Sequence, residues 1–239
     1  MPGFVLVHGA YHGAWCWDRV VSKLRDAGHH VVAPDLPGHG ADGLPLSEVS
    51  LDAYVERLAE TARTMVAPPV VVGHSMAGVV LAEASERYPE LIERAIYLTA
   101  YLPRHGESLA ALAGDDPGSS VEVERIEVDG AACVRVSDSV LREAFCFDAS
   151  ADDLEMVRRK IQPQPLAVLK QPVTLSRERF DSVPRAYIHC ADDRAITPDL
   201  QRRMVAATPC RWVETLDGGH SPFITAPDRL VDVLMRLAE

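Results

Sequence analysis

Three residues far apart in this chain could together carry out nucleophilic acyl transfer: Ser75, Asp193 and His220. Ser75 lies in Val70-Val71-Val72-Gly73-His74-Ser75-Met76-Ala77-Gly78-Val79-Val80-Leu81. Three β-branched residues read there as a buried strand, and a helical stretch follows at once. A serine between such a strand and helix must turn sharply. The turn lifts its hydroxyl clear of the backbone and points the next N–H, that of Met76, at the space above it. The run departs from G-x-S-x-G at its fifth position, where Ala77 stands. Alanine is the smallest residue with a Cβ, so a slightly tighter helix start is expected there.

A serine hydroxyl needs a base, and the base needs an orienting acid. Serines presented on this kind of turn are followed in the chain by the acid and then by the histidine. Of nine histidines, that order leaves His105, His189 and His220. His105 precedes any acid from the later strands, and His189 falls inside an expected core strand. His220 stands in Leu216-Asp217-Gly218-Gly219-His220-Ser221-Pro222, whose glycines let a loop hold an imidazole over the sheet edge. It is the expected base. Ala191-Asp192-Asp193-Arg194 offers two acids. Asp193 is the expected partner and Asp192 the reserve, one of the two serving as a turn former or solvated charge.

An oxyanion needs two backbone donors. Met76 is expected to supply one, and Ala10, in His8-Gly9-Ala10-Tyr11-His12-Gly13-Ala14-Trp15, the other. His8 and His12 sit four apart on this loop without an acidic or cysteine partner, so hydrogen bonds that shape the loop are expected there, not a metal. No metal and no cofactor is expected. Tyr11, His12, His74, Tyr101 and Phe145 are the side chains expected to meet substrate.

The elements that must position these residues alternate along the chain. Phe4–Val7, His30–Ala33, Val70–Val72, Ala95–Ala100, Arg185–Cys190 and Arg211–Leu216 read as strands. Trp15–Ala27, Leu51–Val66, Ser75–Tyr88, Pro198–Ala206 and a final stretch from about Pro222 read as helices. Such βα alternation implies a mostly parallel sheet with helices on both faces. The interval 102–183 breaks the pattern. Val121–Val128 and Ala132–Val136 flank Asp129-Gly130 as a type I′ hairpin, and Ser139–Phe147 and Asp152–Gln162 read as short helices. A proline-studded segment with Pro163, Pro165 and Pro172 follows. An insertion of roughly 80 residues is too long for a connecting loop. It is read as a small α+β lid on a core made of 1–101 and 184–239, over the strand ends where ligands of such sheets bind.

At 239 residues one α/β domain with a substantial core is the natural size. The net charge of -11, with no basic block, argues against a nucleic-acid partner. The first residues lead straight into a strand, leaving no room for a secretory signal, and no apolar run could span a bilayer. Five scattered cysteines without C-x-x-C spacing read as reduced thiols in a cytoplasmic protein.

With these residues in hand, the chain resembles the α/β-hydrolases, and within them the plant methylesterase and hydroxynitrile lyase branch. The likeness runs nearly end to end. It includes Phe4-Val5-Leu6-Val7-His8-Gly9-Ala10, Ala27-Gly28-His29, Pro34-Asp35-Leu36, Gly73-His74-Ser75-Met76-Ala77-Gly78, Tyr88-Pro89, Glu178-Arg179-Phe180 and Gly219-His220. Two positions depart from the lyases, which carry threonine where this chain has Gly9 and lysine where it has Ser221. That lysine handles the developing cyanide charge, so the resemblance implies an esterase. The expected reaction is hydrolysis of small to medium, apolar or aromatic esters through an acyl-enzyme. The same three residues would also suit a lactone, carbamate, amide or C–C bond, or a slow ligand receptor. Leu141, Phe145, Phe147, Leu166 and Leu169 give the lid apolar character suited to a pocket. The expected partner is a small-molecule ester, with room left for a homodimer.

Overall fold

The computed structural model describes residues 1–239. The chain runs through β1 (Phe4–Val7), α1 (Asp18–Asp26), β2 (Val31–Val32), α2 (Leu51–Arg63), β3 (Val70–His74), α3 (Ala77–Arg87) and β4 (Arg94–Leu98). Next come α4 (Leu109–Gly114), β5 (Val123–Val128), β6 (Ala131–Val136), α5 (Asp138–Val140), α6 (Ala151–Lys160), β7 (Gln164–Pro165) and α7 (Leu166–Lys170). It closes with β8 (Arg185–Cys190), α8 (Pro198–Ala207), β9 (Trp212–Leu216), α9 (Pro222–Thr225) and α10 (Pro227–Ala238).

Six strands form one parallel sheet in the order β2-β1-β3-β4-β8-β9. The apolar runs explain the burial: every residue of β1 and β3 is inside, as strands covered on both faces require. The chain steps one way from β1 to β2 and the other way from there onward. Right-handed crossovers then put α1 on one face and α2, α3 and α8 on the other. Accordingly α1 packs on α10, and α2 on α3. The direction of winding reverses between β1 and β3, and the ends of those two strands carry Ala10 and Ser75.

Most differences from the expected elements trace to single residues. The helix expected from Ser75 begins at Ala77, because Ser75 itself takes a left-handed φ of 52°. The stretch from Trp15 opens as a 3₁₀ turn, Ala14–Trp17, before α1. The last helix is divided at Ala226. Pro227 has no N–H to continue a helix and disfavours helical backbone in the residue before it.

Between β4 and β8 lies a second, antiparallel sheet, β5-β6-β7. Its hairpin turns on Asp129 (φ 50°) and Gly130 (φ 78°), the two left-handed residues of a type I′ turn. The proline-rich segment holds an element that the sequence did not suggest. Gln164 and Pro165 pair with Val134 and Cys133 as a short edge strand, the one place in a sheet where proline's missing donor costs nothing. Helix α4 was also missed, although Ser108 accepts from the Ala111 N–H as an N-cap should. After α5 the chain widens into a π-turn, Leu141–Phe145.

Candidate active site

Ser75 sits where the winding of the sheet reverses, just past the carboxyl end of β3, the usual ligand crevice of doubly wound sheets. Its left-handed backbone costs on the order of 1–3 kcal/mol for a residue with a Cβ. Bonds from Ser75 N–H to Leu98 O (3.3 Å), from Tyr101 N–H to Ser75 O (3.1 Å) and from Gly78 N–H to Ser75 O (3.0 Å) hold it. The Ala10 and Met76 N–H groups donate to no other group of the chain. Both residues line one cavity with Ser75 and His220. Ser75 Oγ and His220 Nε2 are not hydrogen-bonded to each other, and the buried Nε2 has no partner at all. Bonds of this kind are often long in unliganded sites and tighten with substrate.

His220 Nδ1 lies 2.7 Å from Asp193 Oδ2, with both side chains out of solvent. The other carboxylate oxygen accepts from the N–H groups of Ala195 (2.7 Å) and Ile196 (3.0 Å). The Thr99 hydroxyl adds a fourth donor, to Oδ2. Four donors and no acceptor around it suit an ionised carboxylate. An ionised carboxylate on Nδ1 fixes the proton there and leaves Nε2 free to accept one. Asp192 is exposed, and only its backbone N–H is engaged, by Gly218 O. Thr99 was invisible in the sequence. It holds a left-handed φ of 36° at the end of β4, and nothing in Ala95–Ala100 marks it.

The backbone that carries His220 is gripped from two sides. From below, His74 Nε2 donates to the His220 carbonyl at 2.9 Å. From the inserted segment, Asp148 Oδ2 accepts from Gly219 N–H at 2.9 Å, and the Phe147 ring lies over the same glycine. A Cβ at Gly219 would stand 2.5 Å from Phe147 Cε1 and 2.9 Å from Asp148 Oδ1, so a larger residue would push both side chains away. Phe145 completes the contact, its ring edge-on to the His220 imidazole at 5.2 Å. Asp148→Ala should therefore lower kcat by about tenfold with a small change in KM, because the base loop loses an anchor. Asp148→Asn keeps an acceptor and should retain at least about a third of wild-type kcat. Steady-state kinetics on both variants checks this, and equal losses in the two would contradict it.

Around these residues four histidines are buried. His8 Nε2 accepts from Leu36 N–H at 3.0 Å, so its proton is on Nδ1, facing Gly9 O at 2.9 Å. His12 Nδ1 donates to Ala10 O at 2.8 Å. Both thus shape the loop that carries Ala10. Burial above all pushes His12 and His39 down to about 4, and His8 and His74 well below the ordinary imidazole value. These four stay neutral in the folded protein but protonate near pH 6.5 once unfolded, so the unfolded state binds more protons as pH falls. Stability is intact above that value and drops below it, by about 1.4 kcal/mol per pH unit for each histidine. We expect the thermal midpoint, followed by circular dichroism, to fall as pH drops from about 6.5 toward 4. A melting temperature unchanged between about pH 7 and pH 4 would contradict it.

The cavity over Ser75 measures about 350 Å³, and 15 of its 21 lining residues are hydrophobic, as small-molecule sites usually are. Tyr11, Tyr101, Phe145, Leu166 and Leu169 line it. His12 and His74, expected to meet substrate, are not among the residues that line it. His12 is stacked on Trp15, and His74 lies beneath His220 against Phe223. Leu141 is core, and Phe147 is occupied by Gly219 and by Arg194, whose guanidinium sits 4.0 Å from its ring. A wider groove of about 620 Å³ opens at Arg104, Arg177 and Asp181, but it contains none of the candidate residues. Enclosure and chemistry, not size, mark the site. No group of three or more metal-binding side chains is gathered anywhere in the chain.

A doubly wound parallel sheet with a serine on a left-handed turn at its reversal point has the architecture of a hydrolase-fold enzyme. The chain belongs to the alpha/beta hydrolase family, whose model matches residues 4–233. It is 32% identical over 251 residues to methyl jasmonate esterase 1 of Vitis vinifera, covering 99% of this chain and 96% of that one. The crystal structure of polyneuridine aldehyde esterase superposes with a TM-score of 0.90 at 26% identity, over 100% of both chains. A methylesterase from Arabidopsis, MES16, superposes with a TM-score of 0.86 at 26% identity, over 99% of this chain and 98% of that one. Fold, family and full-length relatives together put the chain among the carboxylic ester hydrolases. No helix is long and apolar enough to cross a membrane.

Proposed function

We propose that the protein is a serine carboxylesterase acting on small to medium, largely apolar esters through an acyl-enzyme. The observation that carries this reading is the 2.7 Å contact between His220 Nδ1 and Asp193, which leaves Nε2 bare in the cavity that Ser75 also lines. Ser75 Oγ attacks the ester carbonyl while His220 Nε2 takes its proton, and Asp193 stabilises the imidazolium that results. The Ala10 and Met76 N–H groups receive the oxyanion, and their lack of other acceptors supports that role. His220 returns the proton to the departing alkoxide. It then deprotonates the water that releases the acid. Segment 102–183 acts as the lid, its hairpin, α7 and π-turn supplying the cavity's apolar wall. The five free cysteines support a reducing compartment, the cytoplasm.

Cyanohydrin cleavage, the chemistry of the lyases this chain resembles, is disfavoured at two positions. Ser221 stands where those enzymes carry lysine, is fully buried, and is neutral. A Cβ at Gly9, where they carry threonine, would come within 2.8 Å of His74 Nδ1 and 2.9 Å of Ser75 Cβ. Aryl and methyl esters should be hydrolysed, and mandelonitrile should release no benzaldehyde above background at mildly acidic pH. The missing ammonium alone is worth roughly two to three powers of ten in rate. Ser75-dependent cleavage of mandelonitrile at a rate rivalling the esters would overturn the assignment.

A further inference from the structure

Six of the residues lining the cavity are not hydrophobic: Ser75, Asp116, Ser119, Arg125, Lys170 and His220. Ser75 and His220 belong to the chemistry already described. Asp116 is spent internally, one oxygen accepting from the Thr197 N–H (2.9 Å) and the other from its hydroxyl (2.6 Å). The Ser119 hydroxyl donates to Ala195 O (2.8 Å) and accepts from Val121 N–H (3.2 Å). Only Arg125 and Lys170 remain, and neither forms a hydrogen bond or an ion pair. In a chain with 35 acidic and 24 basic residues, the cavity's sole acid is satisfied and its two cations are free.

Their placement follows from element periodicity. On β5, side chains alternate, so Val123 and Arg125 share one face, and both line the cavity, as does Val121 just before the strand. Val134, paired opposite Arg125, lines it too. On α7, Leu166, Leu169 and Lys170 stand at i, i+3 and i+4 and present one stripe to the same space. Each element thus offers apolar side chains and one cation. Leu169 and Val134 are buried, whereas Arg125 and Lys170 are exposed, which puts the charges at the rim and the apolar surface between rim and Ser75.

We propose that the preferred substrate carries a carboxylate at the end remote from the scissile ester, received by Arg125 and Lys170 while an apolar body spans the cavity. The chemical class is a half-ester of a dicarboxylic acid with an apolar spacer, and this rests on the esterase reading above. A guanidinium fork suits a carboxylate, and an apolar-walled cleft with cations at its mouth concentrates anions there.

The test compares monomethyl with dimethyl esters of straight-chain dicarboxylic acids of increasing length. Wild-type kcat/KM should favour the half-ester, with a maximum at the spacer length that reaches the rim and the preference expressed mostly in KM. That selectivity ratio should fall by roughly tenfold in the Arg125→Gln/Lys170→Gln double variant and further in Arg125→Glu/Lys170→Glu. It should also fall when salt rises from about 0.02 to 0.5 M, which a purely structural role would not produce. Hydrolysis of the diesters with a ratio that neither substitution nor salt moves would overturn the rim assignment alone. Hydrolysis of neither ester would overturn the esterase reading, and this inference with it.

Discussion

Ser75→Ala should lower kcat toward an aryl ester by about 10⁵–10⁶ without loss of the fold. The size follows from the chemistry. Without the hydroxyl no acyl-enzyme forms, and the remaining oxyanion donors and cavity can assist only direct attack by water. Stability should change by less than about 1 kcal/mol, since alanine inherits the same left-handed backbone and its cost. The hydroxyl also makes no hydrogen bond whose loss would be felt. Matched thermal melts and kinetics on purified protein test both halves. More than a tenth of wild-type activity in a folded Ser75→Ala sample would end the serine mechanism.

The two neighbouring aspartates should behave very differently. In Asp193→Asn one carboxylate oxygen becomes an NH₂ group. The Ala195 and Ile196 N–H groups would keep the amide oxygen, which turns the NH₂ toward His220. Nδ1 would then have to accept, moving the ring proton to Nε2, where it blocks proton transfer from Ser75. We expect a loss in kcat of about 10³–10⁴. Asp192→Asn should cost less than about tenfold, because that side chain is exposed and no hydrogen bond reaches it. Kinetics of the two variants side by side decides the matter, and a larger loss at Asp192 would contradict the geometry.

What could be read from the sequence is what is encoded locally. The strand, turn and helix around Ser75 occupy one continuous run, so residue types alone announce the turn. His220 and Asp193 sit in loops that follow strands, and chain order narrows the histidines to three and points to a loop with two acids, Asp192 and Asp193. Asp148 and Thr99 could not be found this way. Asp148 reaches Gly219 across 71 positions of chain and Thr99 reaches Asp193 across 94, contacts that exist only once the sheet and its insertion have formed. The glycines before His220 were legible as a flexible loop. Gly218 is required by its left-handed φ of 118°, whereas Gly219 lies under the Phe147 ring and the Asp148 carboxylate. His12 and His74 show how little position along the chain says about direction. Each adjoins the site in sequence, but His12 is stacked on Trp15 and the His74 ring turns beneath the His220 loop. Neighbours in sequence do not share a direction. The strand at Gln164–Pro165 escaped notice because proline argues against strands in general but not at an edge.

The most direct test of the account is to trap the acyl-enzyme. Wild-type protein is mixed rapidly with p-nitrophenyl acetate, the release of p-nitrophenol is followed, and acid-quenched samples are mapped by peptide mass spectrometry. A burst approaching one equivalent per chain is expected, with a single acetyl group on the peptide containing Ser75 that is absent from Ser75→Ala. Turnover without any covalent adduct, or an adduct on another residue that persists in Ser75→Ala, would contradict it.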